Sequence, residues 1–430
     1  MKWLVLVLFA ILPLQWFALG SSPLGQVRLH MAAIFAFAGI VLIRYRMRVH
    51  APVLRGARYF ILAIVYLATT WGVMDLYNGK LPTGAVQMLL YLVAFVGIAT
   101  YFFRVAAARD GAAVEALRWA AAVACASVLI GFTIAMFVNG VNGVAVFGRT
   151  IAAADPEILQ KEVFKSSFAG FGIAEDQVQG NLRHEIFGSV LFSMMVSTWA
   201  MRRGQRPTSV QRWVYSSAMV VGSVLLALSL SRSILIAALA WPMLIFFRSV
   251  ASGRVSPGQV VALVLGAAGL ASLSLSGFGT VLWNRFTQDT TGYDARAGNY
   301  SGAFDILPDY WLTGGFKTSG AHVSTHNFVL DSWLRGGIFV ALAAAAVVLT
   351  ILLLWTSLVA RLPKSPTWLV PVAAALALPV VRLGTSGGGH IPPVEWVALG
   401  FVFGVLTASA GARPRVELAE AHPAQHAGSP

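Results

Sequence analysis

The sequence predicts an all-α polytopic membrane protein, and three observations lead there. Of 430 residues, 57% are hydrophobic and only 11% are charged, about half the charged share of a soluble domain. Apolar runs of about 17–25 residues recur along the chain, each long enough to cross a hydrocarbon core about 30 Å thick. Most of the 31 Lys and Arg fall in short segments between those runs, as the positive-inside rule requires.

Twelve spans are expected, approximately Trp3–Gly20, Val27–Ile43, Tyr59–Tyr77, Gly84–Phe103, Leu117–Asn139, His184–Met201, Trp213–Leu230, Ile234–Phe247, Gly258–Gly277, Phe328–Trp355, Trp368–Val381 and Val394–Ser409. The first twenty residues have the basic start, apolar centre and small-residue exit of a secretory leader. We read them as the first span. Pro242 and Pro371 fall in the short eighth and eleventh spans, which predicts kinks there.

Charge gives the orientation. Lys2, the group from Arg44 to Arg58, Arg104 to Arg118, Arg202 to Arg212, Arg248 with Arg254, Arg361 with Lys364, and Arg413 with Arg415 all lie on one side if both ends are cytoplasmic. Residues 1–415 then form a single transmembrane domain in a bacterial inner membrane, with a disordered cytoplasmic tail at 416–430. The net charge of +14 belongs to this pattern, so nucleic acid is excluded as a partner. Cys125 lies in an apolar run and reads as a small buried hydrophobe. A single cysteine excludes intramolecular disulfides.

Two outward loops are long. In the first, at 140–183, Asp155-Pro156-Glu157 is a helix start, and the following ILQKEVFKSSF suits a short interfacial amphipathic helix. The second, at 278–327 between spans nine and ten, is polar, glycine-rich and aromatic. A connector of about fifty residues is usually functional or disordered. Trp283, Phe286, Tyr293, Tyr300, Phe304, Tyr310, Trp311 and Phe316 supply enough apolar surface to pack, so we read it as an active-site loop. A short basic segment at 382–390 completes that side.

The chemistry-bearing residues gather around these loops. Arg183, Arg232, Arg285, Arg296, Arg335 and Arg382 stand at helix ends or in loops, and a planar, permanently charged fork suits phosphate or carboxylate. Headgroup anchoring, or pairing with Asp289, Asp294, Asp305, Asp309 or Asp331, is the plainer use of each. Arg232 differs, because it sits in a tight serine turn where an anchor has little purpose. His326 precedes the apolar run FVLDSW, at or near a helix N-terminus that disfavours imidazolium. A histidine kept neutral there can accept a proton from an attacking hydroxyl, or simply cap the helix. His322 and His390 compete for that role. Asn327 is suited to capping or to holding a sugar hydroxyl. Metal-ligand spacings, Walker loops and dinucleotide fingerprints do not occur in the sequence, so no metal, ATP or nicotinamide cofactor is expected.

The segments SLSRSILIAALAW (Ser229–Trp241), DARAGNYSGAF (Asp294–Phe304), LTGGF (Leu312–Phe316) and THNFVLDSWLRGGIF (Thr325–Phe339), in this order and on one side, resemble the O-antigen ligase and polymerase superfamily of membrane glycosyltransferases. The resemblance covers roughly residues 180–355. It implies a GT-C-like fold and a glycan donor on undecaprenyl pyrophosphate. The glycan passes to an acceptor hydroxyl on the periplasmic side with inversion, without nucleotide or required metal. It gives Arg232 and Arg296, assisted by Arg285, to the pyrophosphate and His326 to the acceptor hydroxyl. Asn327, Asp331, Arg335, Arg183, Arg382 and His322 are secondary. Such proteins often carry an acid where Arg335 stands, and Asp331, one turn earlier, is the substitute.

Ligation to a glycolipid such as lipid A-core is favoured by the motif spacing and by a partly basic outer surface. Polymerisation onto a second lipid-linked glycan is the alternative. A transporter of the same lipids would place ionisable sites at the midplane, where this sequence has few.

Overall fold

The computed structural model describes residues 1–22, 25–45, 47–108, 111–153, 155–159, 162, 183–203, 206–229, 231–253, 255, 257, 290–316, 327–385 and 391–411. In chain order the elements are α1 (Lys2–Ile11), β1 (Ala18–Ser22), β2 (Gly25–Arg28), α2 (Leu29–Arg44), α3 (Met47–Gly56), α4 (Arg58–Tyr77), α5 (Thr83–Ala108), α6 (Gly111–Leu117), α7 (Ala120–Val138), α8 (Gly143–Ala153) and α9 (Pro156–Leu159). Then follow α10 (Arg183–Met201), α11 (Ser209–Leu228), α12 (Arg232–Ala251), α13 (Thr290–Tyr310), α14 (Phe328–Arg361), α15 (Leu369–Thr385) and α16 (Pro393–Gly411). Six stretches among the described residues are long and apolar enough to cross a membrane: α4, most of α5, α6 with α7, α12, α14 with its extension to Lys364, and α16 up to Ala410. The chain is a mostly helical membrane protein.

The helices α10, α15 and α16 form the centre. Every side chain from Glu185 to Ala200 is buried, so α10 shows lipid no face and carries Ser189, Ser193 and Ser197 at a spacing of four. Small hydroxylated residues let helix backbones approach and bond across. Ser197 Oγ donates to the Arg118 carbonyl at 2.9 Å and accepts from the Ala121 amide at 3.0 Å. Over Glu185–Met201, α10 is an apolar helix just short of spanning length.

Close backbone approach also fixes α16 against α5. A Cβ on Gly404 would lie 2.3 Å from the Ala99 carbonyl oxygen, and one on Gly400 would lie 2.7 Å from Ile98. These two glycines four apart are the small-residue seam of membrane helix pairs. Tyr91 stacks on Trp396 at 6.1 Å nearer the start of both helices, so the two run parallel.

Several expected spans differ in detail. Instead of a helix over Trp3–Gly20, α1 stops at Ile11 and is followed by a turn and the antiparallel hairpin of β1 and β2. Pro13 cannot donate to a continuing helix. The freed Leu12 carbonyl accepts from Ser189 Oγ at 3.2 Å and Gln15 Nε2 at 3.3 Å, the condition for irregular backbone at depth. Val5, Leu8, Phe9, Leu12 and Trp16 are all buried in the main core. The fifth span corresponds to α7, and the short α6 precedes it across a turn at Arg118–Trp119. The first long loop contains α8 and a single turn at α9, with Ile158 and Leu159 packed on the core. Thr290–Tyr310 of the second is helical. The ninth expected span, 258–277, lies outside the described residues.

At the end of the bundle where α10 finishes, arginines meet helix-terminal carbonyls. Arg248 donates to Ser365 at 3.0 Å, Arg202 to Thr367 at 2.7 Å and Arg118 to Arg203 at 3.1 Å. For Ser365 and Arg203, which follow the ends of α14 and α10, the cation also complements the macrodipole.

Candidate functional site

The opposite end, where α5, α10, α12 and α16 begin and α15 finishes, gathers charge at two places. The first is buried. Glu185 in the first turn of α10, Ser233 in that of α12, Glu395 in that of α16 and Arg382 in the last turns of α15 line one small cavity of about 10 Å³, close to the smallest that holds a water. Glu185, Glu395 and Arg382 are each less than a tenth exposed. Carboxylates in first turns are favoured by the helix dipole, and Arg382 attracts both, with Arg28 from β2 acting on Glu185 as well. Glu395 Oε2 has no hydrogen-bond partner among the described residues. The ends of α10, α15 and α16 are thus coupled through one guanidinium, with the head of α12 beside them, in surroundings where losing a partner is costly.

Arg232 is the first residue of α12, directly before Ser233, and is half-buried. The turn preceding it is held by Ser229, whose Oγ donates to the Leu226 carbonyl at 2.6 Å and accepts from the Ser231 amide at 3.2 Å. A guanidinium at the N-terminus of a helix is an arrangement suited to a phosphate oxygen.

The second place is built on a break in α14. Gly337 has φ 76° and ψ −173°, a region open essentially to glycine alone. The segment following α13 docks there. The Gly315 and Phe316 amides donate to the Arg335 and Leu334 carbonyls at 2.9 and 3.1 Å, and the Ile338 amide donates to Trp311 at 3.0 Å. Trp333 Nε1 reaches the same Trp311 carbonyl at 3.0 Å. The loop between α4 and α5 holds the other side: Asn78 donates to Thr313 at 3.1 Å and Lys80 to Gly315 at 3.1 Å. Beneath them Ala303, Leu307, Leu330 and Leu334 form a small separate core, with Tyr300, Ile306, Phe316 and Trp333 against it. The LTGGF and LRGG segments therefore meet backbone to backbone.

The remaining expected residues stand as follows. Asn327 caps α14, its side-chain oxygen accepting from the Val329 and Leu330 amides at 3.0 and 3.1 Å. Asp331 is buried and pairs with Arg335 one turn on, at 3.2 Å. Arg183 opens α10 and Arg296 lies in α13, but their side chains, together with Arg285, His322, His326 and His390, lie outside the described residues.

Sequence reasoning missed Glu185, Glu395, Arg28, Asn78 and Lys80. A signal existed for Glu395, an acid two residues past Pro392-Pro393 at the head of an apolar span. For Asn78 and Lys80 nothing local marks the contact, which spans 235 positions. No protein-family model matches the chain, and no curated protein matches it.

Proposed function

We propose that this protein is a membrane glycosyltransferase of the O-antigen ligase type. It moves a glycan from an undecaprenyl-pyrophosphate donor to an acceptor hydroxyl, lipid A-core being the favoured acceptor. The observation that carries the reading is the convergence of its motifs: the serine turn with Arg232, the LTGGF segment and the Asn327–Gly337 segment all lie at one end of the bundle. In this reading that end is periplasmic, both termini are cytoplasmic, twelve spans cross the inner membrane, and the 278–327 segment covers the site.

The chemistry follows from the residue types. A pyrophosphate leaving group develops negative charge as the anomeric C–O bond breaks, and fixed cations stabilise that charge most where water is excluded. Arg232 at the head of α12 is the natural holder, with Arg296 and Arg285 assigned from the sequence. His326, the residue before the α14 cap, takes the proton of the acceptor hydroxyl. Attack opposite the leaving group inverts the anomeric carbon. The buried Arg382 cluster lies beside the head of α12, with Ser233 in the wall of the same cavity. The proposed mechanism requires no metal or nucleotide.

The test is transfer by purified protein in detergent, given an undecaprenyl-pyrophosphate glycan with and without lipid A-core. Product formed only with lipid A-core supports ligation. Longer lipid-linked chains without it identify a polymerase. If neither product forms and donor crosses vesicle membranes instead, the protein is a transporter.

A further inference from the structure

We propose that the protein holds a zwitterionic phospholipid at the end of the bundle opposite the Glu395 cavity. A half-open groove of about 360 Å³ runs there between α1 and α6–α7, within the range of roughly 300–1,000 Å³ usual for ligand sites. Its walls are apolar, from Leu6, Ala112, Ala116 and Val123, with Trp3 and Trp119 beside them. Its charged members are one cation, Lys2, and one anion, Glu115.

The position is that of a membrane interface. Arg118 and Trp119, at the junction of α6 and α7, adjoin the finishing end of α10 through bonds to Ala200 and Arg203. Tryptophans at such a level belong to the aromatic belt. Lys2 lies 5.6 Å from the Trp3 ring centroid, and both side chains are exposed. Glu115 accepts one hydrogen bond, from Gln211 Nε2 at 3.3 Å to Oε1. The Arg118 guanidinium, whose other bonds go to Ala200, Gln211 and Arg203, acts on it electrostatically as well.

The pair of opposite charges selects the occupant. A phosphate oxygen suits Lys2 and a primary ammonium suits Glu115, so a headgroup carrying both fits better than an anionic one, which Glu115 repels. An acyl chain fills the apolar trough, where Ala112 and Ala116 leave the space open. The site would tie α1, which ends after ten residues, to α7 at the end where α1 has the least core around it.

The experiment is native mass spectrometry of the full-length protein, delipidated and then offered 1-palmitoyl-2-oleoyl phosphatidylethanolamine or the matching phosphatidylglycerol. The expected result is preferential retention of phosphatidylethanolamine, with Lys2→Ala and Glu115→Gln each weakening it about two- to fivefold, the range of an interfacial ion pair. Equal retention of the two lipids, or undiminished retention by Lys2→Ala, overturns the proposal, as does a concentration-dependent dimer in place of a lipid adduct. Because Glu115→Gln also disturbs Gln211, Ala112→Trp serves as a second variant that fills the groove without touching either charge. It must abolish retention while the protein stays monodisperse.

Discussion

Replacing Gly337 by alanine should undock the LTGGF segment without unfolding the bundle. Two costs add. The backbone at φ 76°, ψ −173° is strained for any side chain by about 1–3 kcal/mol. A Cβ there would also lie 2.0 Å from the Leu312 carbonyl oxygen, and backbone on both sides cannot swing away as a flexible side chain can. Relief requires breaking the Ile338–Trp311 bond and its neighbours, each worth about 0.5–1.5 kcal/mol. The expected loss is about 2–5 kcal/mol, local to residues 311–316 and the first turns of α14. Hydrogen exchange on the purified protein reads this directly. The Gly315, Phe316 and Ile338 amides should exchange at least about thirtyfold faster, since 1.4 kcal/mol is a factor of ten. Amides in α5 and α16 should be unchanged. Gly302→Ala is the control, because nothing lies within 4 Å of its added Cβ and alanine is the better helix former by roughly 0.8–1.0 kcal/mol. Unchanged protection at all three amides in Gly337→Ala would refute the docking account.

Three further outcomes follow from the packing. Gly404→Leu, driving a side chain into the Ala99 carbonyl, should lower thermal stability by at least the ~1–3 kcal/mol of an overpacked core, whereas Gly39→Ala, with open space around it, should not; equal melting temperatures would contradict the α5–α16 seam. Arg382→Ala leaves Glu185 and Glu395 buried against each other and should cost about 3–5 kcal/mol, partly recovered by adding Glu395→Gln; a single variant that melts like the parent would mean the cavity is already hydrated enough to need no cation. Asn327→Ala should cost about 1 kcal/mol through the lost α14 cap, and Asn327→Asp little; identical effects of the two on melting would remove the capping role.

Much of the fold was legible because burial in lipid leaves a coarse signal. Apolar length located α4, α5, α12, α14 and α16, whose boundaries agree within a few residues. The failures have a common cause. Where protein rather than lipid surrounds the chain, length and hydropathy stop being constraints, so the short α1 and the hairpin after it could not be read as they are, although the serine-bearing α10 matches its expected span. The site divides the same way. Arg232, Asn327 and the glycine pairs are marked by local turn and cap chemistry. The tie of Arg382 to Glu185 joins residues 197 positions apart, and only the converging helix ends bring it about.

The most direct test of the proposed function is the rate of glycan transfer by Arg232→Ala beside the parent protein, both from the same undecaprenyl-pyrophosphate donor. Arg232→Lys and a melting curve for each variant report on charge and folding. With Arg232 stabilising the leaving pyrophosphate, the alanine variant should fold normally and lose about 10²–10³ in rate, the usual cost of one electrostatic stabiliser. Transfer at the parental rate by a folded Arg232→Ala protein would contradict that assignment, and the reading of this end of the bundle as the transferase centre along with it.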